Sequence, residues 1–285
     1  MGHKIAVIAD IHGNLTALEA VIADAKVHQV DEYWCLGDVV MPGPAVVEIA
    51  ERLADLKPSV CVRGNWDDLA IDGSRGQGDL SKPSRIYFAR LAQYVAEQGG
   101  QALVDQLSAW PLHQVVTRGA LTFAISHNLP DFNHGQALFP TNDSSNFDVL
   151  LGDEHVDVAL YAHVHHQLLR YGTDERMILN PGSIGEPFNH HQRLQADMRA
   201  NYLILEVDEI GIAGMDFRHV NYDREVEYQR AVQAGVPYLE LYRRLIDTGR
   251  VDTHNQSLLA ELNAQHHYLE QYQTFQRCLL GEAND

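Results

Sequence analysis

The chain has 285 residues and a mass of 32.0 kDa, enough for one large domain or two modest ones. Apolar residues make up 45% of it, which supplies a buried core and excludes a disordered chain or a disulfide scaffold. Acidic residues number 39 against 21 basic ones, and a formal charge of -18 argues against nucleic acid or an anionic membrane as partner. The 16 histidines stand out beside that excess, because carboxylates and imidazoles together are what holds metal cations. Cys35, Cys61 and Cys278 show no C-x-x-C spacing, no secretory signal opens the chain, and no apolar run approaches the ~18 residues of a membrane helix. We therefore expect reduced thiols, a cytoplasmic location and no membrane partner.

In chain order, Ile5-Ala-Val-Ile-Ala9 reads as a strand buried on both faces. Thr16 to Gln29 follows with Leu18, Val21, Ile22 and Ala25 at helical spacing. Tyr33 to Leu36 is a second strand, Ala45 to Leu56 a second helix and Ser59 to Val62 a third strand, the alternation of a parallel α/β sheet. Gly73 to Ser84 reads as an exposed loop. Ser84 to Gln98 and Gln101 to Ala109 read as helices, and Leu112–Thr117 with Ala120–Ser126 as a hairpin around Arg118-Gly119. Asn128 to Asn146 is a long polar loop, of a length that is usually either functional or disordered. Val156 to Ala162 and Arg176 to Leu179 are further strands, and Tyr202–Val207 with Ile212–Val220 an antiparallel closing pair. From about Tyr222 the pattern is helical. Leu258, Leu262, Leu269, Tyr272 and Leu279 stripe one long helix, which we expect to pack on its own domain, with a homo-oligomer interface as the second reading.

The informative fact is what stands at the strand ends. The first strand runs into Asp10-Ile-His12-Gly13-Asn14, the second into Gly37-Asp38 and the third into Gly64-Asn65. His127 follows the strand at 120–126, and His163-Val-His165 follows the one at 156–162. Carboxyl ends of strands are where open α/β sheets build their sites. One Gly-Asp or one H-x-H is a weak signal; five strand ends in register are a strong one. Residues two apart project the same way from extended chain, so Asp10 with His12, and His163 with His165, are expected to reach one centre. Seven ligands exceed the four of a tetrahedral zinc and suit two ions sharing a carboxylate, for which Asp38 is the natural bridge. Oxygen donors mixed with imidazoles and no thiolate suit Mn, Fe or Zn and argue against Ca.

These blocks resemble, in order, those of the calcineurin-like metallophosphoesterase superfamily: Asp10-x-His12-Gly-Asn, Gly37-Asp38, Gly64-Asn65-x-Asp67, His127 and His163-x-His165. Asn180-Pro-Gly-Ser183 resembles a further block of its small bacterial and archaeal phosphodiesterase branch. The resemblance covers residues 4 to 220 and implies a four-layer α/β/β/α sandwich. It gives a metallophosphoesterase domain over 1–220, with a helical C-terminal extension over 221–285 packed on it. Carried over by position, Asp10, His12, Asp38 and His165 would hold the first metal, and Asp38, Asn65, His127 and His163 the second. Manganese is the favoured ion. The implied activity is hydrolysis of a small phosphoester, most naturally a phosphodiester, by a metal-bridging hydroxide. Asp10, Asp38, Asn65 and Asp67 form the catalytic set. The alternatives are a phosphomonoesterase acting on phosphoprotein or nucleotide, and a binding scaffold on the same fold. Many members carry His after the Gly-Asn pair as proton donor to the leaving group. Here that residue is Trp66, which favours substrates with good leaving groups. His134 and His190 are candidate replacements, though solvent-exposed loop histidines are the simpler reading of both.

Overall fold

A computed structural model describes residues 2–281 apart from 153 and 192. Strands β1 (His3–Ile8), β2 (Glu32–Cys35) and β3 (Val60–Cys61) run parallel, with Ile5 opposite Glu32 and Cys35 opposite Cys61. Helices α1 (Leu15–Val27) and α2 (Val47–Leu56) make the crossovers. The hairpin β9 (Ala200–Val207) and β10 (Ile212–Val220) joins β1 antiparallel and completes a sheet of order β10-β9-β1-β2-β3. The second sheet takes β4 (His113–Arg118), β5 (Leu121–Ser126), β6 (Val158–Leu160), β7 (Gln167–Tyr171) and β8 (Met177–Pro181) in the order β4-β5-β6-β8-β7. Its three central strands are parallel and its two edges antiparallel.

The two-residue period of a strand sorts the core into layers. Ile5, Val7, Trp34, Leu203 and Leu205 of the first sheet meet Phe123, Ile125, Leu160 and Leu179 of the second. The intervening Ala6, Ile8, Cys35, Tyr202 and Ile204 face the helical layer. On the far side of the second sheet, Ala124, Ala159 and Ile178 are covered by Leu138, Phe147, Leu150 and Leu151. That outer layer is thin: a long loop carrying 3-10 turns at Ser144–Asn146 and Asp148–Leu150. The α/β sandwich expected from the sequence is the observed fold.

Three elements differ from expectation. Helix α3 (Asn65–Ser74) starts at a candidate ligand, where the sequence shows no apolar stripe. Its last turn packs so closely on α4 (Pro83–Glu97) that a Cβ on Gly73 would sit 2.3 Å from the Ala92 Cβ. Acidic residues and a packing glycine disguise it as a loop. The edge strand β7 is half exposed and has no clean alternation to read. The long C-terminal helix breaks into α8 (Gln256–Gln265) and α9 (Tyr268–Leu279) at His267, whose φ is 56°.

With α5 (Gln101–Ala109), α6 (Arg224–Ala234) and α7 (Leu239–Thr248), these helices thicken the layer over the first sheet. The Tyr272 hydroxyl donates to the Gly73 carbonyl at 2.7 Å and accepts from the Gly78 N–H at 2.9 Å. Buried Glu227 accepts from the Thr16 N–H and hydroxyl (3.1 and 2.6 Å) and from the Tyr242 hydroxyl (2.9 Å). Those bonds tie α6 and α7 to the first turn of α1, which follows the first candidate ligands.

Candidate metal centre

The candidate ligands leave their strands by turning rather than by continuing extended. Strand β1 ends at Ile8, and Asp10 and His12 both take left-handed backbone, with φ of 52° and 53°. Asp38 (53°), His163 (66°) and His165 (54°) share that conformation. Asp10 and His12 reach one ligand set while His163 and His165 fall in different sets, and all four are presented by left-handed backbone beyond the strand ends, which corrects the extended-chain expectation. Asp and His tolerate this region better than most residues, but each position stores strain that its surroundings must over-determine. The surroundings do so: N–H groups of Asp10, His12 and Gly13 donate to carbonyls of Gly37, Asp38 and Val39 at 2.9–3.0 Å, stitching the first two ligand loops together.

Two glycines allow the close approach. A Cβ on Gly64 would lie 2.0 Å from the Asp38 Oδ1, and Gly37, at φ 89°, would put one 2.5 Å from the Gly64 nitrogen. Asp67 then locks these loops. Its buried carboxylate accepts from the backbone N–H groups of Asp38 (2.9 Å), Val39 (2.9 Å) and Gly64 (2.8 Å). It acts on the backbone that presents Asp38 and belongs to neither ligand cluster.

The ligand atoms gather in two sets that share Asp38: Asp10, His12, Asp38 and His165 in one, and Asp38, His127 and His163 in the other. The His12 Nε2 lies 3.3 Å from the His165 Nε2 and 3.8 Å from the Asp38 Oδ2. The His127 Nε2 is 3.2 Å from the same Asp38 oxygen, and the His165 Nε2 is 3.4 Å from the Asp10 Oδ1. Donor atoms bonded to one ion at ~2.1 Å stand about 3.0–3.4 Å apart across adjacent coordination angles, so this spacing suits shared cations. Both Asp10 carboxylate oxygens, the Asp38 Oδ2, the Asn65 Oδ1 and the His127 Nε2 are buried with no hydrogen-bond partner. Polar atoms sealed from water need partners, and a dication satisfies several at once. This donor set therefore fits a pair of metal ions.

Each imidazole is aimed from behind. The Nδ1 of His12 donates to the Met41 carbonyl (2.8 Å), that of His127 to the Leu36 carbonyl (2.6 Å) and that of His165 to the Glu186 carbonyl (2.7 Å), leaving Nε2 as the ligand atom. His163 is reversed: its Nε2 bonds the Gly135 carbonyl at 3.0 Å, which leaves Nδ1 to face the centre. The Asn180-Pro-Gly-Ser183 block braces the same region from below. Asn180 donates to the Ala162 carbonyl (2.8 Å), and the Ser183 hydroxyl donates to the Asp10 carbonyl (2.9 Å) while accepting from the Glu186 N–H (2.8 Å).

The electrostatics show a cluster that demands positive charge. Burial disfavours a charged His127, but the Asp38 and Asp10 carboxylates outweigh it and push the imidazole up to about 10. Burial likewise opposes charge on His165, yet Asp10 raises it to about 9. Burial would lift Asp38; the surrounding imidazoles hold it well below the usual carboxylate range. His163 goes the other way, down to about 4, through burial and the neighbouring His127. Asp67 rises to about 6, first through burial and then through the nearby Asp38 charge.

The backbone carbonyls of Met41, Gly135 and Glu186 are aiming groups that the sequence did not reveal, since no side-chain signature marks a carbonyl. Asn133, in the long loop, is another such group: its amide donates to the Gly64 carbonyl (2.9 Å) and to Asp68 (2.6 Å). The Trp66 ring meets His12 edge-on with centroids 5.1 Å apart, and the Trp66 backbone N–H donates to the Asp38 Oδ1 at 2.8 Å. His134 is exposed and packs on Phe132; His190 is exposed and packs on Phe139 and Phe188. Neither belongs to the ligand clusters.

Two mixed sheets carrying an acid–imidazole cluster beyond their parallel strands define the metallophosphoesterase class of α/β sandwich. The description "Calcineurin-like phosphoesterase superfamily domain" matches residues 3–209, and the chain belongs to that family. An uncharacterized protein of Methanocaldococcus jannaschii is 26% identical over 246 residues, 82% of this chain and 93% of that protein. The crystal structure of a metallophosphoesterase from Sphaerobacter thermophilus is 26% identical, with a TM-score of 0.64 over 87% of this chain and 100% of its own. A hypothetical protein from Pyrococcus horikoshii shares the fold at a TM-score of 0.69 and 21% identity, over 87% of this chain and 98% of its own.

Proposed function

We propose that this chain is a cytoplasmic phosphodiesterase that hydrolyses small phosphoesters on a pair of divalent transition-metal ions, manganese being the favoured ion. One observation carries the reading: acid and imidazole ligand atoms fall into two sets that share Asp38, and those of Asp10, Asp38 and His127 include buried atoms with no hydrogen-bond partner. Asp10, His12, Asp38 and His165 would hold one ion, and Asp38, Asn65, His127 and His163 the other. Bound there, such ions would supply charge neutralisation for the phosphate and would lower the pKa of a water toward ~7. The protein's own share is positional. Backbone carbonyls fix the imidazole tautomers and Asp67 fixes the Asp38 loop. Trp66 supplies no titratable proton, so leaving groups that depart as stable anions are favoured. A binding scaffold has no use for a full ligand set, which favours the enzyme.

The test is element analysis of the purified chain together with turnover in Mn²⁺. We expect about two ions per chain and a kcat/KM for bis-p-nitrophenyl phosphate above that for p-nitrophenyl phosphate. Bound ions with no phosphoester of any class cleaved would overturn the enzyme reading. A preference for the monoester would replace diesterase by phosphomonoesterase.

A further inference from the structure

Four aromatic rings close on one another beside the metal centre. Phe139 comes from the long loop, His166 follows the ligand His165, and Phe188 with His190 lie in the segment after β8. Ring centroids are 5.7 Å apart for Phe139–His166 and Phe139–His190, 5.3 Å for His166–Phe188 and 5.6 Å for Phe188–His190. Phe188 also packs on His165 at 5.2 Å, so the frame shares an edge with the first ligand set. No helix or strand carries these rings; His190 is exposed and the other three are half-buried.

We propose that this frame is the subsite for a nucleobase carried by the phosphoester, an inference that rests on the phosphodiesterase reading above. Phe139 stacks on His190 and packs on the core below, yet Phe139 and Phe188 are only half-buried, so part of each ring stays wet until a flat ring covers it, and a base offers that ring whatever its sequence identity. The frame also carries polar edges. The His166 Nδ1 bonds the Val164 carbonyl, which leaves its Nε2 free to accept from an amino or imide N–H of a base. An aliphatic arm, such as a glyceryl group, covers the phenyl faces poorly and stacks on nothing. The chain's charge of -18 opposes a long polyanion and tolerates a single nucleotide. The substrate class is accordingly a nucleoside phosphodiester of low molecular weight.

Two measurements on the Mn-loaded full chain test this. Calorimetry compares thymidine monophosphate with deoxyribose phosphate, which lacks only the base. Turnover compares thymidine p-nitrophenyl phosphate with ethyl p-nitrophenyl phosphate, which share a leaving group. We expect the base to tighten binding by about tenfold, the scale of one stacked base, and to raise kcat/KM by a similar factor, mainly through KM. Phe188→Leu should abolish most of both preferences and Phe188→Tyr should restore them. Because Phe188 also touches His165, Phe139→Leu repeats the test at a ring that contacts only His166 and His190 within the frame, with metal content checked by element analysis. Equal affinity for the two phosphates, or preferences unmoved by both leucine variants, would overturn the subsite. Base-dependent binding with no cleavage of any diester would overturn the phosphodiesterase reading and leave the subsite standing.

Discussion

Strand β2 has a carboxylate near each end, and the two are treated in opposite ways. At its start, Glu32 is saturated: Arg118 donates three bonds at 2.7–3.1 Å, the Trp34 indole donates at 2.8 Å, His3 bonds it at 2.6 Å and the Ser59 hydroxyl adds another. Beyond its end, the Asp38 Oδ2 is buried with no hydrogen-bond partner, beside two Asp10 oxygens in the same condition. The first arrangement clamps the two sheets together through the β4 arginine. The second leaves capacity for a ligand that brings its own charge. The same residue chemistry is structural where donors are supplied and functional where they are withheld.

The contrast breaks most visibly at Asp38. Asp38→Asn removes the shared bridge, and we expect kcat/KM to fall by at least ~10³-fold, roughly 4 kcal/mol of transition-state stabilisation. Thermal melts give the second readout. Ions that bind only the folded chain stabilise it, by about 2.7 kcal/mol at a hundredfold excess over Kd, so the wild-type melting temperature should climb with Mn²⁺ while that of Asp38→Asn barely moves. A metal-dependent melt retained in full by the variant would remove Asp38 from the centre. His163→Ala should be milder: a loss of about one ion per chain, activity down ~10²-fold and partly recovered at high Mn²⁺, with the circular-dichroism spectrum unchanged.

Asp67→Asn sits between the two ends, because Asp67 is a saturated carboxylate serving an unsaturated one. An amide has one oxygen for the three N–H groups now shared by two, and its NH₂ would face at least one of them. We expect ~1–3 kcal/mol lower stability from the unpaired N–H and a kcat down about tenfold, at unchanged metal content; loss of the ions themselves would instead make Asp67 a ligand. That residue also shows how far a sequence reading reaches. The Gly-Asn-x-Asp spacing marked Asp67 as useful, but the target of its carboxylate, the backbone of another loop, leaves no trace in side-chain identity. The six acids and imidazoles that gather in the two sets were legible as candidates because short polar residues follow apolar strands at their carboxyl ends. Their approach was not, since left-handed backbone at Asp10, His12 and His165 follows from tertiary hydrogen bonds rather than from local propensity. Helix α3 and strand β7 stayed hidden for a related reason: both are defined by what packs on them, the Gly73–Ala92 contact in one case and pairing with β8 in the other.

The smallest effect belongs to the saturated end. Burial would raise Glu32, but the donors from Arg118, Ser59, Trp34 and His3 hold it at about 2, below its ordinary 4.5. A carboxyl depressed on folding contributes stability that is complete above its ordinary value and is lost as pH falls from there through the folded value. Glu32→Gln keeps the shape and removes the charge, so it should cost about 1 kcal/mol at neutral pH, a figure held down by solvent screening at this partly exposed group. The gap between wild type and variant in urea-unfolding free energy should shrink steadily as the pH drops below 4.5 and close near 2. Because nothing at this end awaits a cation, the same gap should be identical with Mn²⁺ and with chelator. A Glu32→Gln penalty that grew with added metal would mean that the clamp and the centre are coupled along β2, and that the two ends do not divide structure from function as cleanly as their hydrogen bonds indicate.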